Sequence, residues 1–139
     1  MGKIDKHYSR DLVALDAATT TREAARLMRD RRIGAVVVRD GESTLGLVTE
    51  RDLVWRVLAG EGSVDATLGQ VVRRDLPPVA PSSSELDCAQ LMRTHNTRHL
   101  LVAEAGGVVG IISMRDVIQL MLDDKQFLIE QLQRYLYQT

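Results

Sequence analysis

Two short stretches of the chain place a hydroxyl and a carboxylate three residues apart at the end of an apolar run. Thr49 and Asp52 lie in GLVTERDLV, and Ser113 and Asp116 lie in GIISMRDVI. If a strand ends there and a helix follows, each carboxylate sits in the first helical turn, where unpaired N–H groups attract an anion. An ionised carboxylate accepts hydrogen bonds, as the paired hydroxyls of a ribose require, so a nucleotide would satisfy the whole pattern.

The same spacing also has a purely structural explanation. Thr49 or Ser113 can be the N-cap of a helix, with the aspartate at the third helical position closing a capping box and interacting favourably with the helix dipole. For one isolated copy the cap is the better explanation. Two copies in matched positions favour a binding site, and both interpretations stay open at this point.

The two stretches belong to a longer internal repeat. Shifting the chain by 64 positions aligns Ala24–Val54 with Cys88–Ile118 without a gap. The identical pairs are Ala25/Ala89, Leu27/Leu91, Met28/Met92, Arg29/Arg93, Val38/Val102, Gly46/Gly110, Arg51/Arg115 and Asp52/Asp116. Chance similarity does not keep one register through helix, strand and turn patterns, so the chain is a tandem duplication.

Each copy has the same predicted order of elements: helix, strand, strand, helix. Hydroxyl and acidic residues precede a helical spacing of Ala, Leu and Met, and two β-branched runs joined by a glycine-containing turn indicate a hairpin. A short extended segment is predicted before each copy, at Asp11–Leu15 and at Leu76–Val79. The predicted division is residues 1–59 for the first repeat, 60–75 for a linker with a short helix, 76–122 for the second repeat and 123–139 for an amphipathic C-terminal helix.

With these motifs in tandem, the chain resembles a pair of cystathionine-β-synthase (CBS) domains, or Bateman module, from about Tyr8 to Leu122. The resemblance implies an α/β (α+β) fold in which two pseudo-symmetric β-α-β-β-α repeats pack sheet to sheet, followed here by the C-terminal helix. It also implies two clefts between the repeats that bind adenosine derivatives, including AMP, ADP, ATP, S-adenosylmethionine, NAD and cyclic dinucleotides. Members of the family report energy or metabolite state to a partner.

Carried over residue by residue, the family pattern assigns roles around both strand-to-helix corners, which are Thr49–Asp52 and Ser113–Asp116. Asp52 and Asp116 would hold ribose hydroxyls, and Thr49 and Ser113 would lie beside ribose or phosphate. Each cleft would take its adenine wall from the other repeat: Tyr8, Val13, Ile33 and Gly34 opposite Asp116, and Val72, Pro77, Thr97 and Arg98 opposite Asp52.

Basic residues near the corners are candidates for phosphate binding. In related modules the basic position just before the middle strand reaches phosphate; Arg98 matches it, whereas the first repeat has Gly34, so unequal clefts are expected. Arg51 and Arg115 also stand near the predicted helix starts, and a guanidinium can grip two phosphate oxygens at once. A surface arginine paired with a neighbouring acid is the alternative for both, and it stays open.

Composition argues against several other functions. A formal net charge of -1 over 139 residues gives no electrostatic drive toward nucleic acid or membrane, and no apolar run is long enough for a membrane helix. Acidic residues offset the arginines of the first helix, and aromatic residues make up only 4%. One cysteine is compatible with a reducing cytoplasm, which is the predicted location.

No catalytic residue and no metal site is predicted. His95 and His99 are four residues apart, but His99 is expected to open a strand and no third ligand accompanies them. Cys88 aligns with Ala24 on an apolar helix face and has no activating histidine. We therefore expect that the chain is not an enzyme and needs no catalytic cofactor.

The C-terminal segment is the part that the duplication does not explain. Leu128, Leu132 and Tyr135 share one face of its predicted helix. That face either covers exposed helices of the same chain or bridges two chains, and the two alternatives stay open. Modules of the resembling family commonly pair face to face into a disc of four repeats, so a homodimer is expected.

The function expected from these observations is that of a cytoplasmic sensor. Binding of AMP, ADP, ATP or NAD in one or both clefts would change what an unidentified effector protein recognises. Two alternatives belong to other classes: a structural dimerisation adaptor with empty clefts, and a nucleic-acid regulator that uses the arginine-rich first helix.

Overall fold

The computed structural model of the chain describes residues 3–137, which form two compact units. Unit A is Asp11–Pro77, and unit B joins the described residues 3–10 to residues 78–137. Each unit has its own cluster of buried apolar side chains. Each also contains one copy of the strand-to-helix corner.

In unit A the β-branched runs of the sequence form a three-stranded sheet. Its strands are β1 (Ala14–Asp16), β2 (Ala35–Asp40) and β3 (Ser43–Thr49), with β1 parallel and β3 antiparallel to β2. Its helices are α1 (Thr21–Arg31), α2 (Glu50–Asp52), which continues as a π-helix over Leu53–Leu58, and α3 (Leu68–Val71). The buried apolar cluster is Ala24, Met28, Val36, Val38, Val48, Val57, Leu68, Val71 and Val72.

Unit B repeats the helix, hairpin and helix of unit A. Its elements are a 3₁₀ turn (Ile4–Lys6), α4 (Glu85–Thr94), the antiparallel strands β4 (His99–Glu104) and β5 (Gly107–Ser113), and α5 (Met114–Tyr137). In place of a full counterpart to β1, Val79 makes a single parallel bridge to Val102. The buried cluster is Ile4, Tyr8, Val79, Cys88, Met92, Leu100, Val102, Ile112, Val117 and Leu120.

Side-chain caps fix where the first helix of each unit begins. The hydroxyls of Thr20 and Ser84 each accept a backbone N–H from the first turn of α1 and α4. After these helices the chain turns through left-handed residues, Arg32 at φ 54 and Asn96 at φ 50. The hydroxyl clusters seen in the sequence therefore set the helix starts, as expected for residues that favour the N-cap.

Each compact unit includes a segment that lies next to the other repeat in the sequence. Ile4 is fully buried in unit B and Ser9 pairs with β5, while Leu68 is fully buried in unit A and Arg73 pairs with β3. Residues 60–75, predicted as a linker, thus complete unit A, and residues 3–10 complete unit B. The physical reason is that each hairpin leaves an apolar face that a further segment must cover.

The two repeats end differently. In unit A the helix after the corner stops at Leu58, whereas in unit B α5 runs unbroken for 24 residues. Val117 and Leu120 of α5 are buried, but every residue from Lys125 to Tyr137 is exposed. The predicted C-terminal helix is therefore a direct extension of the second repeat. The mixed α/β class, the two repeats and the C-terminal helix agree with the prediction.

Candidate functional site

In unit A the predicted hydroxyl and carboxylate form a closed capping box. Asp52 N–H donates to Thr49 Oγ1 at 3.2 Å, and Thr49 N–H donates to Asp52 Oδ2 at 2.9 Å. Both residues are buried. Within the part of the chain that the structure describes, the second carboxylate oxygen, Oδ1, makes no hydrogen bond.

Unit B has the same box at the start of α5. Asp116 N–H donates to Ser113 Oγ at 3.1 Å, and Ser113 N–H donates to Asp116 Oδ2 at 2.8 Å. Both residues are half-buried, so this corner is more accessible than that of unit A. The structural explanation of the sequence pattern is thus present twice. It leaves room for a ligand, because each box uses one carboxylate oxygen and each hydroxyl can still donate.

The first helical N–H at each corner is also bound within the chain. Glu50 N–H donates to the carbonyl oxygen of Gly34 at 2.9 Å, and Met114 N–H donates to that of Arg98 at 2.8 Å. Two of the N–H groups that a helix start leaves unpaired are therefore satisfied at each corner. An incoming phosphate would find fewer backbone donors than the sequence analysis expects, so nearby guanidinium groups are better suited to hold it.

The predicted site residues fall into two groups, one in each unit. Unit A holds Val13, Ile33, Gly34, Thr49, Arg51, Asp52, Val72 and Pro77, and unit B holds Tyr8, Thr97, Arg98, Ser113, Arg115 and Asp116. The family resemblance implies that Tyr8 comes from the repeat opposite Asp116. Tyr8 lies in the same unit as Asp116, because residues 3–10 pack there.

Tyr8 and Val72 occupy equivalent core positions in their units. Tyr8 is 9% exposed with its ring against Gly110, and Val72 is 7% exposed beside Gly46. A Cβ on Gly110 would overlap the Tyr8 ring, and a Cβ on Gly46 would overlap the backbone of Arg73. The glycine that the two motifs share is thus required because a second segment crosses the strand there. Tyr8 and Val72 are also 64 positions apart, and extending the alignment back to them could have predicted their equivalent positions.

The other wall residues are partly used by their own units. Thr97 is buried, and its hydroxyl donates to the carbonyl oxygen of His99 at 3.1 Å while accepting the N–H of His99 at 3.2 Å. Val13 and Ile33 are half-buried and pack against the core of unit A. Pro77 is half-buried. Thr97, Val13 and Ile33 therefore each have a structural contact besides their predicted role.

The three candidate arginines have different surroundings. The Arg51 guanidinium lies over the ring of Trp55, with 5.0 Å between Cζ and the ring centroid. This is a cation–π contact between residues four apart in sequence, a spacing that places side chains together on a helix and could have predicted it. Arg98 and Arg115 are exposed. The corner of unit B therefore carries two arginines that reach into solvent.

Other reactive groups do not assemble into a second site. Burial, with a smaller contribution from Asp87, raises the pKa of the Cys88 thiol to about 11, so the thiol stays neutral at physiological pH. Among residues 3–137, no group of three or more His, Cys, Asp or Glu side chains could hold a metal ion. Burial, followed by the neighbouring carboxyl of Asp124, raises the pKa of Glu85. Sequence reasoning missed that pair because the two residues lie far apart along the chain.

In each unit a hairpin is followed by a helix, and a hydroxyl–carboxylate capping box lies at the junction. Two such units in one chain define a tandem-repeat α/β module. The family model for the CBS domain matches residues 4–59 and again residues 68–123. The chain therefore belongs to the CBS-domain family and carries two CBS domains in tandem. The resemblance drawn from the sequence motifs is confirmed.

The chain is also similar to individual proteins and to solved structures. The chain is 30% identical over 106 residues to an uncharacterized 17.7 kDa protein of Acidianus ambivalens, covering 75% of this chain and 63% of that protein. It is 26% identical over 117 residues to the CBS domain-containing protein YhcV of Bacillus subtilis, covering 84% of each. The crystal structure of a CBS-domain containing protein from Agrobacterium tumefaciens matches with a TM-score of 0.80 and 30% identity, covering 86% of this chain and 99% of that one. The chain thus spans less than two thirds of the Acidianus relative and nearly all of the Agrobacterium protein.

Family membership supports a coarse functional statement. Tandem CBS domains are generally regulatory, often bind nucleotides, and often occur in dimers or larger oligomers. No helix within residues 3–137 combines the length and the apolar character needed to cross a membrane.

Proposed function

We propose that the chain is a regulatory module, without catalytic activity, that binds adenosine nucleotides such as AMP, ADP, ATP or NAD at its two strand-to-helix corners. The observation that carries the proposal is the repeated anchoring of a carboxylate. Asp52 and Asp116 are each held by a backbone N–H on Oδ2, which leaves Oδ1 to accept from a ligand. Ribose supplies a pair of hydroxyl donors, and an acceptor already fixed in place loses little entropy on binding.

The phosphate groups of the ligand would be held by arginine side chains. Arg98 and Arg115 are exposed beside the corner of unit B, where Met114 occupies the first helical position. In unit A the corresponding residues are Gly34, Arg51 and Glu50. Unit B therefore has more positive charge around its carboxylate, and we expect nucleotides with more phosphates to bind there more tightly.

Signalling would follow from a difference in affinity between two states of the module. A ligand shifts such an equilibrium only as far as it binds one state better than the other. We include in the proposal a homodimer, a cytoplasmic location and an effector protein that responds to the bound state. The frequent oligomerisation of CBS-domain proteins supports the homodimer.

The proposal is tested by calorimetry with AMP, ADP, ATP and NAD on Asp116→Ala and Ser113→Ala. Either variant opens the same capping box, so each should lose about 0.5–2 kcal/mol of unfolding free energy. Only Asp116→Ala removes the acceptor for ribose, and it should weaken nucleotide affinity by about 1–3 kcal/mol. Ser113→Ala opens the same box but keeps the carboxylate, so its loss of affinity should be smaller and measures what the hydroxyl contributes. Asp52→Ala and Thr49→Ala form the same pair in unit A.

Two results would count against the proposal. Unchanged affinity in Asp116→Ala would remove that carboxylate from the site. If none of the four nucleotides bound, and none raised the melting temperature as a ligand of the folded state must, the chain would be better described as a structural adaptor. Mass spectrometry of small molecules that co-purify with the native protein would identify the nucleotide directly.

A further inference from the structure

An apolar stripe runs along the exposed length of α5. Helical spacing places its members on one side of the helix. They are Ile118, Met121, Leu122, Leu128, Ile129, Leu132, Tyr135 and Leu136, with exposures from 38% to 79%. Phe127 lies on the opposite side and is 63% exposed.

The stripe has the spacing of a helix that pairs with another helix. Its members recur at the same three positions of successive heptads, and Lys125 is the single polar residue among them. A specific protein–protein interface buries about 800 Å² on each partner, and eight large exposed apolar side chains are a surface of the kind that can supply it. Most helical stability in proteins comes from packing of an apolar face, and no side chain of residues 125–137 is buried within the described chain. A packing partner would bury the apolar face of residues 125–137 and stabilise this part of the helix.

We infer that the stripe contacts the same stripe on a second copy of the chain, with the two α5 helices antiparallel. Lys125 decides the orientation. A parallel, in-register pair would place two Lys125 ammonium groups side by side in an apolar seam, which is unfavourable. An antiparallel pair centred near Phe127 instead places Lys125 of each chain next to Ile129 of the other, so the two ammonium groups no longer lie side by side.

A membrane surface fits the stripe less well than a second copy. Interfacial helices carry a polar face rich in Lys and Arg. The polar face of α5 is mainly glutamine and acid, with Gln119, Asp123, Gln126, Glu130 and Gln133. The inference names the surface that holds the homodimer proposed above and rests on that part of the proposed function. It does not depend on nucleotide binding.

Sedimentation velocity on the full chain tests the surface. Wild type should sediment as a dimer, and Leu132→Glu should raise the dimer dissociation constant by about tenfold or more, because an unpaired carboxylate would be buried in the seam. Phe127→Glu adds the same charge on the opposite side of the same helix and should leave the dimer intact. Both sites are exposed, so neither substitution should disturb the buried cores of the two units.

Several outcomes overturn the inference. A dimer that survives Leu132→Glu places the contact elsewhere and leaves the proposed homodimer standing, whereas a monomeric wild type removes both. Loss of the dimer in both variants also overturns it, because a nonspecific charge effect would then explain the result. A monomer that co-sediments with anionic phosphatidylserine vesicles would assign the stripe to a membrane surface.

Cysteine cross-linking tests the orientation. Both cysteine variants are made in a Cys88→Ala background; alanine is the residue at the aligned position, Ala24. A mixture of Leu122→Cys chains and Leu132→Cys chains should cross-link on oxidation. Neither variant should cross-link when it is oxidised alone. A disulfide needs Cβ atoms about 4 Å apart, which an antiparallel pair allows only between the two different positions. Cross-linking of each variant with itself would indicate a parallel pair and overturn the proposed orientation. No cross-link in the mixture would overturn the proposed register.

Discussion

Replacing Gly110 by alanine tests whether residues 3–10 are an integral part of unit B. A Cβ at this position would overlap the ring of Tyr8 and lie 2.5 Å from the carbonyl oxygen of Ser9. Tyr8 belongs to the buried core, and Ser9 exchanges two backbone hydrogen bonds with Ile111, at 2.9 and 3.0 Å. The added carbon can therefore be accommodated only if the N-terminal segment moves away from β5.

We expect Gly110→Ala to lower the free energy of unfolding by about 1–3 kcal/mol, the usual cost of forcing an extra carbon into a packed site. The loss would be larger if the segment detached, because the buried side chains of Ile4 and Tyr8 each contribute roughly 1.5–3 kcal/mol. For a chain of this size the smaller range corresponds to a fall in melting temperature of roughly 3–15 °C. Urea unfolding and calorimetry measure both quantities.

Gly106→Ala is the matched control for this experiment. Gly106 lies in the turn of the same hairpin, and a Cβ there would meet no atom within 4 Å. Its stability should stay within about 0.5 kcal/mol of wild type. Tyr8→Ala removes the ring that the new Cβ would overlap, so Gly110→Ala should cost less in that background. The coupling energy between the two substitutions should be about 0.5–3 kcal/mol. If Gly110→Ala were as stable as Gly106→Ala, the packing of residues 3–10 on unit B would be refuted.

Three further predictions concern individual side chains. Burial and the neighbouring Asp124 raise the pKa of Glu85, so the folded wild-type protein loses stability as the pH rises through that pKa. Glutamine carries no charge at any pH. Glu85→Gln should therefore raise the free energy of unfolding at neutral pH and not in acid. Urea titrations from acid to neutral pH measure this, and an advantage confined to acid would contradict it. Arg51→Gln should change the fluorescence emission of Trp55, the single tryptophan of the chain, by removing the cation over its ring; an unchanged spectrum would argue against that contact. Arg32→Gly should stabilise the fold by up to about 1 kcal/mol, because glycine adopts a φ of 54 without strain, and a melting temperature no higher than wild type would contradict this.

Local patterns predicted the helices, the hairpins and the corners. N-cap hydroxyls, alternation of β-branched residues and glycine-containing turns act within a few residues, so Thr20 and Ser84 could be read as helix starts without knowledge of the fold. The same locality explains why the hydroxyl–carboxylate pairs gave two interpretations. A capping box is a local structure and is seen directly, whereas binding depends on groups that the chain brings together only when folded.

The placement of residues 3–10 could not be predicted in this way. Ile4 and Leu68 are related by the same 64-residue offset as the corners, but few of the surrounding residues match and no periodic pattern accompanies them. Which core such a segment covers is decided by tertiary packing, which overrides weak local preference. The π-helix Leu53–Leu58 was missed for a related reason, because Val54, Val57 and Leu58 have the spacing of an ordinary helix.

The two corners share the same capping-box hydrogen bonds, so under the proposed function the surrounding side chains decide how the two binding sites differ. The carbonyl oxygens of Gly34 and Arg98 accept equivalent N–H groups, yet only Arg98 adds a guanidinium at that position. Arg51 is held by Trp55, and a phosphate would have to outcompete a contact worth about 0.5–1 kcal/mol at an exposed site, whereas Arg115 reaches into solvent. Under the proposed function, the carboxylate of each corner would accept from ribose, and phosphate recognition should differ between the two corners. A nucleotide with several phosphates should fill unit B first, and a module of this kind would respond to nucleotide concentration in two steps rather than one.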